Sequence, residues 1–315
     1  MHYSPEPLHI PDGFLTLAIA LIFWALTAVA VAIAISKTNK SLGGKQVPLM
    51  GIMAAFIFAA QMLNFPVAGG TSGHFLGGAL AAIVLGPWAA ILVMTSVIAV
   101  QGLLFQDGGL LVMGANIFNM GVLTAMIGFG LYRSVLKTGK TTRLIVAGTA
   151  AWLSTIASAL LASLQLWLSG TSRLEIVLPA MLGVHVFIGI GEALITVAAL
   201  SFILRTRADL LDSESLEAKG GPGWVYAGVL AALFAIVLSP LASANPDGLM
   251  RVAQDLGFLN LGQGASYQLL PNYTLPFLGQ TPLSKIIAGL VGALVALGIV
   301  ILAGSLLRGR KEGER

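Results

Sequence analysis

Four histidines stand among the 315 residues, and two of them fall where a membrane bundle would open to water. Leu8-His9-Ile10-Pro11-Asp12-Gly13-Phe14 is a polar turn immediately before a long apolar run. A histidine there, within reach of the chain's N-terminus, can help build a nitrogen-rich metal site. Its candidate partner is His74, in Asn64-Phe65-Pro66-Val67-Ala68-Gly69-Gly70-Thr71-Ser72-Gly73-His74-Phe75-Leu76-Gly77-Gly78. A Gly/Pro-rich, non-helical stretch between spans frees backbone groups that protein or water must satisfy, and such stretches usually line a cavity. Ser72 or Thr71 is expected to cap the following helix, with His74 in its first turn facing that cavity. The competing reading is a tight surface turn whose histidine meets only water or headgroups.

His185 and Glu192 form a third group. Seven residues make nearly two turns at ~3.6 residues per turn, so both share one helix face. Glu192 is the only carboxylate well inside an apolar span. An ionisable group at mid-bilayer costs about 2.5–3.5 kcal/mol on insertion scales and normally faces a polar interior. The pair can belong to an ion path, or Glu192 can orient a ligand histidine from behind. The alternative is a structural hydrogen bond to a neighbouring helix, with Asn116 or Asn119 as partner. Either way the pair is expected to lie deeper than His9 and His74.

These residues need a scaffold, and composition says which kind. The chain is 57% hydrophobic and 10% charged, with a mean hydropathy of +0.91, against roughly 25% charged residues in soluble domains. It is an all-α polytopic membrane protein. Cysteine is absent, which excludes disulfides and thiolate ligands. The formal charge of +4 is not the footprint of a nucleic-acid binder, because the basic residues collect in short loops. There is no His-Glu-x-x-His, no Gly-x-Ser-x-Gly and no phosphate-binding loop of the Walker type. No ATP site is expected on this chain. Methionines such as Met50, Met53, Met62, Met94, Met113, Met120 and Met126 read as packing rather than as a soft-metal path.

A span needs about 20 residues, which places apolar helices near 15–36, 46–63, 72–86, 88–105, 110–133, 144–169, 177–204, 224–243 and 283–307. The third is short, and Gly86-Pro87 breaks it from the fourth. Residues 1–14 lack the regions of a cleavable signal peptide. Lys37, Lys40 and Lys45 mark one loop, Arg133, Lys137, Lys140 and Arg143 another, Arg205 and Arg207 a third, and Arg308, Arg310, Lys311 and Arg315 the tail. Positive charge then puts the N-terminus outside and the C-terminus in the cytoplasm, with His9 and His74 both on the outer side. Residues 208–223 read as a polar cytoplasmic linker between a seven-helix module, 1–207, and a two-helix module, 224–315, with its outer loop at 244–281. Pro-Asp-Gly recurs at 11–13 and 246–248, which reads as ordinary turn chemistry.

Taken together and in order, His9 to Leu15, Asn64 to Gly78 and His185 to Leu194 closely resemble the cobalt/nickel substrate-specific membrane components of energy-coupling factor transporters. The resemblance covers residues 8 to about 205. Residues 224–315, with Asn245-Pro246-Asp247-Gly248-Leu249, look like the small two-helix, PDGLE-like partner subunit of the same systems, fused here. The usual motif ends in an acid where this chain has Met250.

The resemblance implies a seven-helix component that captures Co2+ or Ni2+ outside, while a membrane scaffold (T) component and two cytoplasmic ABC ATPases drive release. In that family the mature chain begins Met-His. The free amine, the histidine backbone nitrogen and its imidazole hold the ion, joined by the histidine that matches His74. All-nitrogen donors in a plane suit Ni(II) or Cu(II) and also bind Co(II). Here seven residues precede Leu8-His9, and three explanations are open. Leu8 can be the true start, read as methionine from a UUG or CUG codon; processing can expose it; or Met1 and His2 can form the chelating pair. Asn64, Ser72, His185 and Glu192 are candidates for supporting the ligands or lining the path. The function expected is substrate capture for ATP-driven Co2+ or Ni2+ uptake in the cell's inner (plasma) membrane, without enzymatic activity. The rivals are a stand-alone proton-coupled divalent-metal permease using His185 and Glu192, and an intramembrane metalloenzyme using His74, His185 and Glu192.

Overall fold

The computed structural model describes residues 8–41, 46–206, 223–265 and 267–313. Long apolar runs become helices because a helix satisfies its own backbone where water is absent. In chain order these are α1 (Leu17–Ser41), α2 (Gln46–Gln61), α3 (Gly78–Leu85), α4 (Pro87–Phe105), α5 (Met113–Arg133), α6 (Lys140–Leu168), α7 (Leu174–Thr206), α8 (Gly223–Leu238), α9 (Gly248–Asp255) and α10 (Pro282–Gly313). Among the described residues six, namely α1, α4, α5, α6, α7 and α10, are long and apolar enough to cross a membrane. The protein is a multi-pass membrane protein. The expected linker at 208–223 lies outside the described residues, except for Gly223 at the start of α8.

The third apolar segment departs from expectation. Helix occupies only the eight residues Gly78–Leu85, a rise of about 12 Å, well short of a ~30 Å hydrocarbon core. Upstream, β1 (Phe65–Val67) pairs antiparallel with β2 (Thr71–Gly73), and residues 74–77 run on without helix. Residues 74–77 and α3 are buried throughout, so this run lies deep inside the helix bundle.

Non-helical backbone at such depth must find partners inside the protein. Leu76 N–H donates to Glu192 Oε2 at 2.6 Å and Gly77 N–H to Glu192 Oε1 at 2.9 Å, while Gln61 Nε2 donates to Leu76 O at 2.7 Å. Gly77 starts the helix at φ 84°, left-handed backbone that glycine adopts without strain. Glu192 is therefore the structural anchor of this run. Its partners are backbone amides of the 76–77 segment, and neither Asn116 nor Asn119 contacts it as the sequence had suggested. Asn119 instead exchanges two hydrogen bonds with Gln165, at 2.8 and 2.9 Å.

The core is one contiguous apolar cluster centred on α2, α3, α4 and α10, with Phe58, Leu80, Ile91, Met94 and Phe105 fully enclosed. α3 sits against α5 through small residues: a Cβ on Gly78 would lie 1.9 Å from Thr124 Oγ1, and one on Gly128 would lie 2.6 Å from Ala79 Cα. A second cluster joins Ile10, Phe14 and Leu15 to Val177, Met181, Leu249, Met250 and Phe258. Met250 is buried there, so the position where the motif ordinarily carries an acid serves packing in this chain.

Candidate metal centre

The N-terminal turn is pinned from both flanks. Asp12 accepts three backbone N–H bonds, from Leu110, Leu111 and Val112 at 3.0, 2.9 and 3.2 Å. Asn116 exchanges a pair with Ile10, donating to its carbonyl at 3.0 Å and accepting its N–H at 3.1 Å. Asn116 precedes a π-helical stretch, Phe118–Leu123, within α5, the kind of bulge that recurs at functional sites. His9, between these two anchors, is 2% exposed.

Leu8 N–H and His9 N–H donate to Asp107 Oδ1 at 2.6 and 3.3 Å, and His9 Nδ1 lies 3.3 Å from the backbone O of the same residue. Three nitrogens of one dipeptide thus face a single residue, Asp107. Asp107 follows Gln106, whose left-handed φ of 56° closes α4 and turns the chain back. Its other oxygen, Oδ2, accepts the Tyr273 hydroxyl at 2.5 Å. Burial, and then the Asp107 charge, hold that phenol well above its ordinary pKa, so it stays a donor.

His74 meets His9 edge to face, with ring centroids 5.4 Å apart and planes at 72°. Nδ1 of His74 lies 3.2 Å from Phe75 O, and its Nε2 lies 4.0 Å from Asp247 Oδ2. His185, on α7, lines the same cavity of about 60 Å³, together with Leu8, His9, His74 and Asp247; its Nδ1 lies 2.7 Å from Met181 O. His9 Nε2 is buried without a hydrogen-bond partner among the described residues. Burial pushes the His9 imidazole below its usual pKa, against the opposing pull of Asp107, so it remains a neutral nitrogen donor. Among the described residues no group of three or more His, Asp or Glu side chains is arranged to hold a metal.

Several expectations need correction. His74 is not in the first turn of a helix. It follows β2, and the residue that opens α3 is Gly77, without a side-chain cap. Ser72 caps nothing; its N–H donates to Pro246 O and its hydroxyl to Asn245 O, both at 2.8 Å. Asn64 O accepts Ser243 N–H at 2.8 Å, and its side chain faces a separate cavity of about 160 Å³. Asn64 and Ser72 thus dock the C-terminal loop instead of lining the histidine cavity. His185 shares the level of His9 and His74, while Glu192 stands behind the 76–77 backbone. Met1 and His2 lie outside the described residues.

The sequence reading missed Asp107, Tyr273 and Asp247. Gln106-Asp107-Gly108-Gly109 is a polar run between two apolar spans, which could have marked Asp107. The recurrent Pro-Asp-Gly carried more than turn chemistry: Asp247 caps α9, accepting Leu249 N–H at 3.2 Å, and also approaches His74.

Known proteins resemble this chain in both of its parts. Residues 9–210 match the model of the cobalt uptake substrate-specific transmembrane region, and residues 222–309 match the PDGLE domain. A putative fused nickel transport protein of Archaeoglobus fulgidus is 37% identical over 300 residues, covering 93% of this chain and 96% of that protein. A cobalt transport protein of Sorangium cellulosum is 32% identical over 218 residues, covering 65% and 95%. The crystal structure of a truncated transition metal transporter superposes with a TM-score of 0.57 at 34% identity, covering 62% of this chain and 98% of that one. With histidines gathered at one end of an apolar bundle and the family pattern running from the first of them through α7, the chain belongs to the transmembrane cobalt/nickel transport family defined by the cobalt uptake substrate-specific region, and it carries a PDGLE domain at its C-terminal end.

Proposed function

We propose that this chain is the substrate-capture component of an ATP-driven uptake system for Co2+ or Ni2+, holding the ion at an extracytoplasmic nitrogen site and catalysing no reaction itself. A membrane scaffold component and two cytoplasmic ATPases supply the energy, since no ATP-binding motif stands in this sequence. The seven-helix module is 1–207, the linker 208–223 is cytoplasmic, and the two-helix module is 224–315. The N-terminus lies outside and the C-terminus inside, with α3 and its extended lead forming one crossing. The ligands are His9, His74 and the backbone nitrogens at Leu8 and His9, where a chain beginning at position 8 would place its free amine.

One observation carries the reading. His9 and His74, 65 positions apart in sequence, meet at 5.4 Å beside a backbone whose nitrogens already face a single point. Four nitrogens gathered this way favour Ni(II) or Co(II) over hard cations. Glu192 suits a proton relay poorly, because both its oxygens accept backbone N–H bonds. Uptake into vesicles is the test. Accumulation of radiolabelled nickel or cobalt should require the scaffold, the ATPases and ATP. Accumulation by this chain alone under a proton gradient would replace this reading with a stand-alone permease.

A further inference from the structure

The C-terminal outer loop does more than cover the site. Its segment around residues 267–274 grips the end of α4: Tyr267 hydroxyl donates to Leu103 O at 2.8 Å, and Leu270 N–H donates to Leu104 O at 3.0 Å. Tyr273 then stacks on Phe105, with centroids 4.7 Å apart and planes at 18°, and packs near Phe58. To place that ring, Asn272 and Tyr273 both take left-handed backbone, at φ 55° and 56°. Two consecutive non-glycine residues in that region are strained, and such strain persists only where surrounding contacts over-determine it. Here those contacts end at one hydroxyl, directed at Asp107 Oδ2.

We propose that Tyr273 is a positioning residue for the nitrogen site: its hydroxyl fixes Asp107, and Asp107 gathers the nitrogens of Leu8 and His9. The inference rests on reading this cavity as the ion site. Each carboxylate oxygen has its own task. Oδ2 is tied to the C-terminal module, and Oδ1 faces the dipeptide. Without the hydroxyl, Oδ2 loses its tie to the C-terminal loop, and among the described residues the carboxylate keeps only the two N–H groups it is meant to order. Partners of this kind, set behind a metal's ligands, typically change affinity by 10- to 100-fold when removed.

Tyr273→Phe in the full chain tests this, because it keeps the ring on Phe105 and removes only the oxygen. Tyr267→Phe is the comparison: it removes another hydroxyl of the same loop, one that holds the loop to α4 without touching Asp107. Titration calorimetry with Ni2+ and Co2+ should show roughly tenfold or greater loss for Tyr273→Phe and near-native affinity for Tyr267→Phe, with the visible spectrum of bound nickel altered only in the first. Native affinity in Tyr273→Phe, or equal losses in both variants, would overturn the proposal and leave only loop docking. His74→Ala separates this from the underlying reading: if that variant also binds as the wild type does, the ion site itself is misplaced.

Discussion

At the scale of single residues, the histidines and Glu192 divide their labour by what each nitrogen or oxygen meets. His9 is buried with one free ring nitrogen, and its lowered pKa follows from desolvation. The sign of the resulting pH dependence is fixed. A histidine whose folded pKa lies below the unfolded value of about 6.5 binds fewer protons folded than unfolded across that interval. Stability of the metal-free protein should therefore fall as pH drops below about 6.5 and level off below the folded pKa. His9→Gln should remove that component, as followed by thermal unfolding at stepped pH. An unchanged profile in the variant would assign the effect elsewhere. Glu192→Gln should cost stability more than affinity. A neutral amide turns an N–H₂ group toward a backbone donor, so one of the two bonds to Leu76 and Gly77 is lost. A buried donor left unpaired costs about 1–3 kcal/mol. Thermal unfolding should register that loss, while the nickel affinity of the folded fraction should change far less than in His74→Ala.

At the scale of elements, the apolar runs and the breaks between them were legible in the sequence, because a membrane-embedded helix needs uninterrupted apolar length and little else. What remained hidden was how 72–86 folds. The glycines there and Pro66 upstream announced irregular backbone, but not its partners, Gln61 at the end of α2 and Glu192 on α7, more than a hundred positions away. His9, His74 and His185 stood out because ionisable residues are rare in so apolar a chain. Tyr273 did not, since its bond to Asp107 spans 166 positions and leaves no local pattern. The close seat of α3 makes its own prediction. Gly78→Ala would drive a methyl group into Thr124 Oγ1 and Met120 O. Overpacking of this kind costs about 1–3 kcal/mol, and the variant should unfold at lower temperature with the metal site less occupied. A variant as stable as the wild type would show that α3 can shift on α5.

At the scale of the whole molecule, the C-terminal loop meets the rest of the chain around the histidine cavity. Ser243 bonds to Asn64, Pro246 to Ser72, Gln263 to Asp12 and Tyr273 to Asp107, so the N-terminal turn, the β1–β2 hairpin and the turn after α4 are each tied to the C-terminal loop. A chain ending at 207 should keep its helices, by circular dichroism, yet bind nickel more weakly than the intact protein. Equal affinity in the two would confine the second module to a role outside the site. The account as a whole stands on the claim that nitrogen atoms at Leu8, His9 and His74 hold the transported ion. X-ray absorption at the metal edge of the nickel-loaded full chain addresses that claim most directly. The predicted spectrum has a first shell of nitrogen alone, with the multiple-scattering signature of two imidazoles that falls to one in His74→Ala. A shell of sulfur, or of water and carboxylate oxygen unchanged by that substitution, would contradict it.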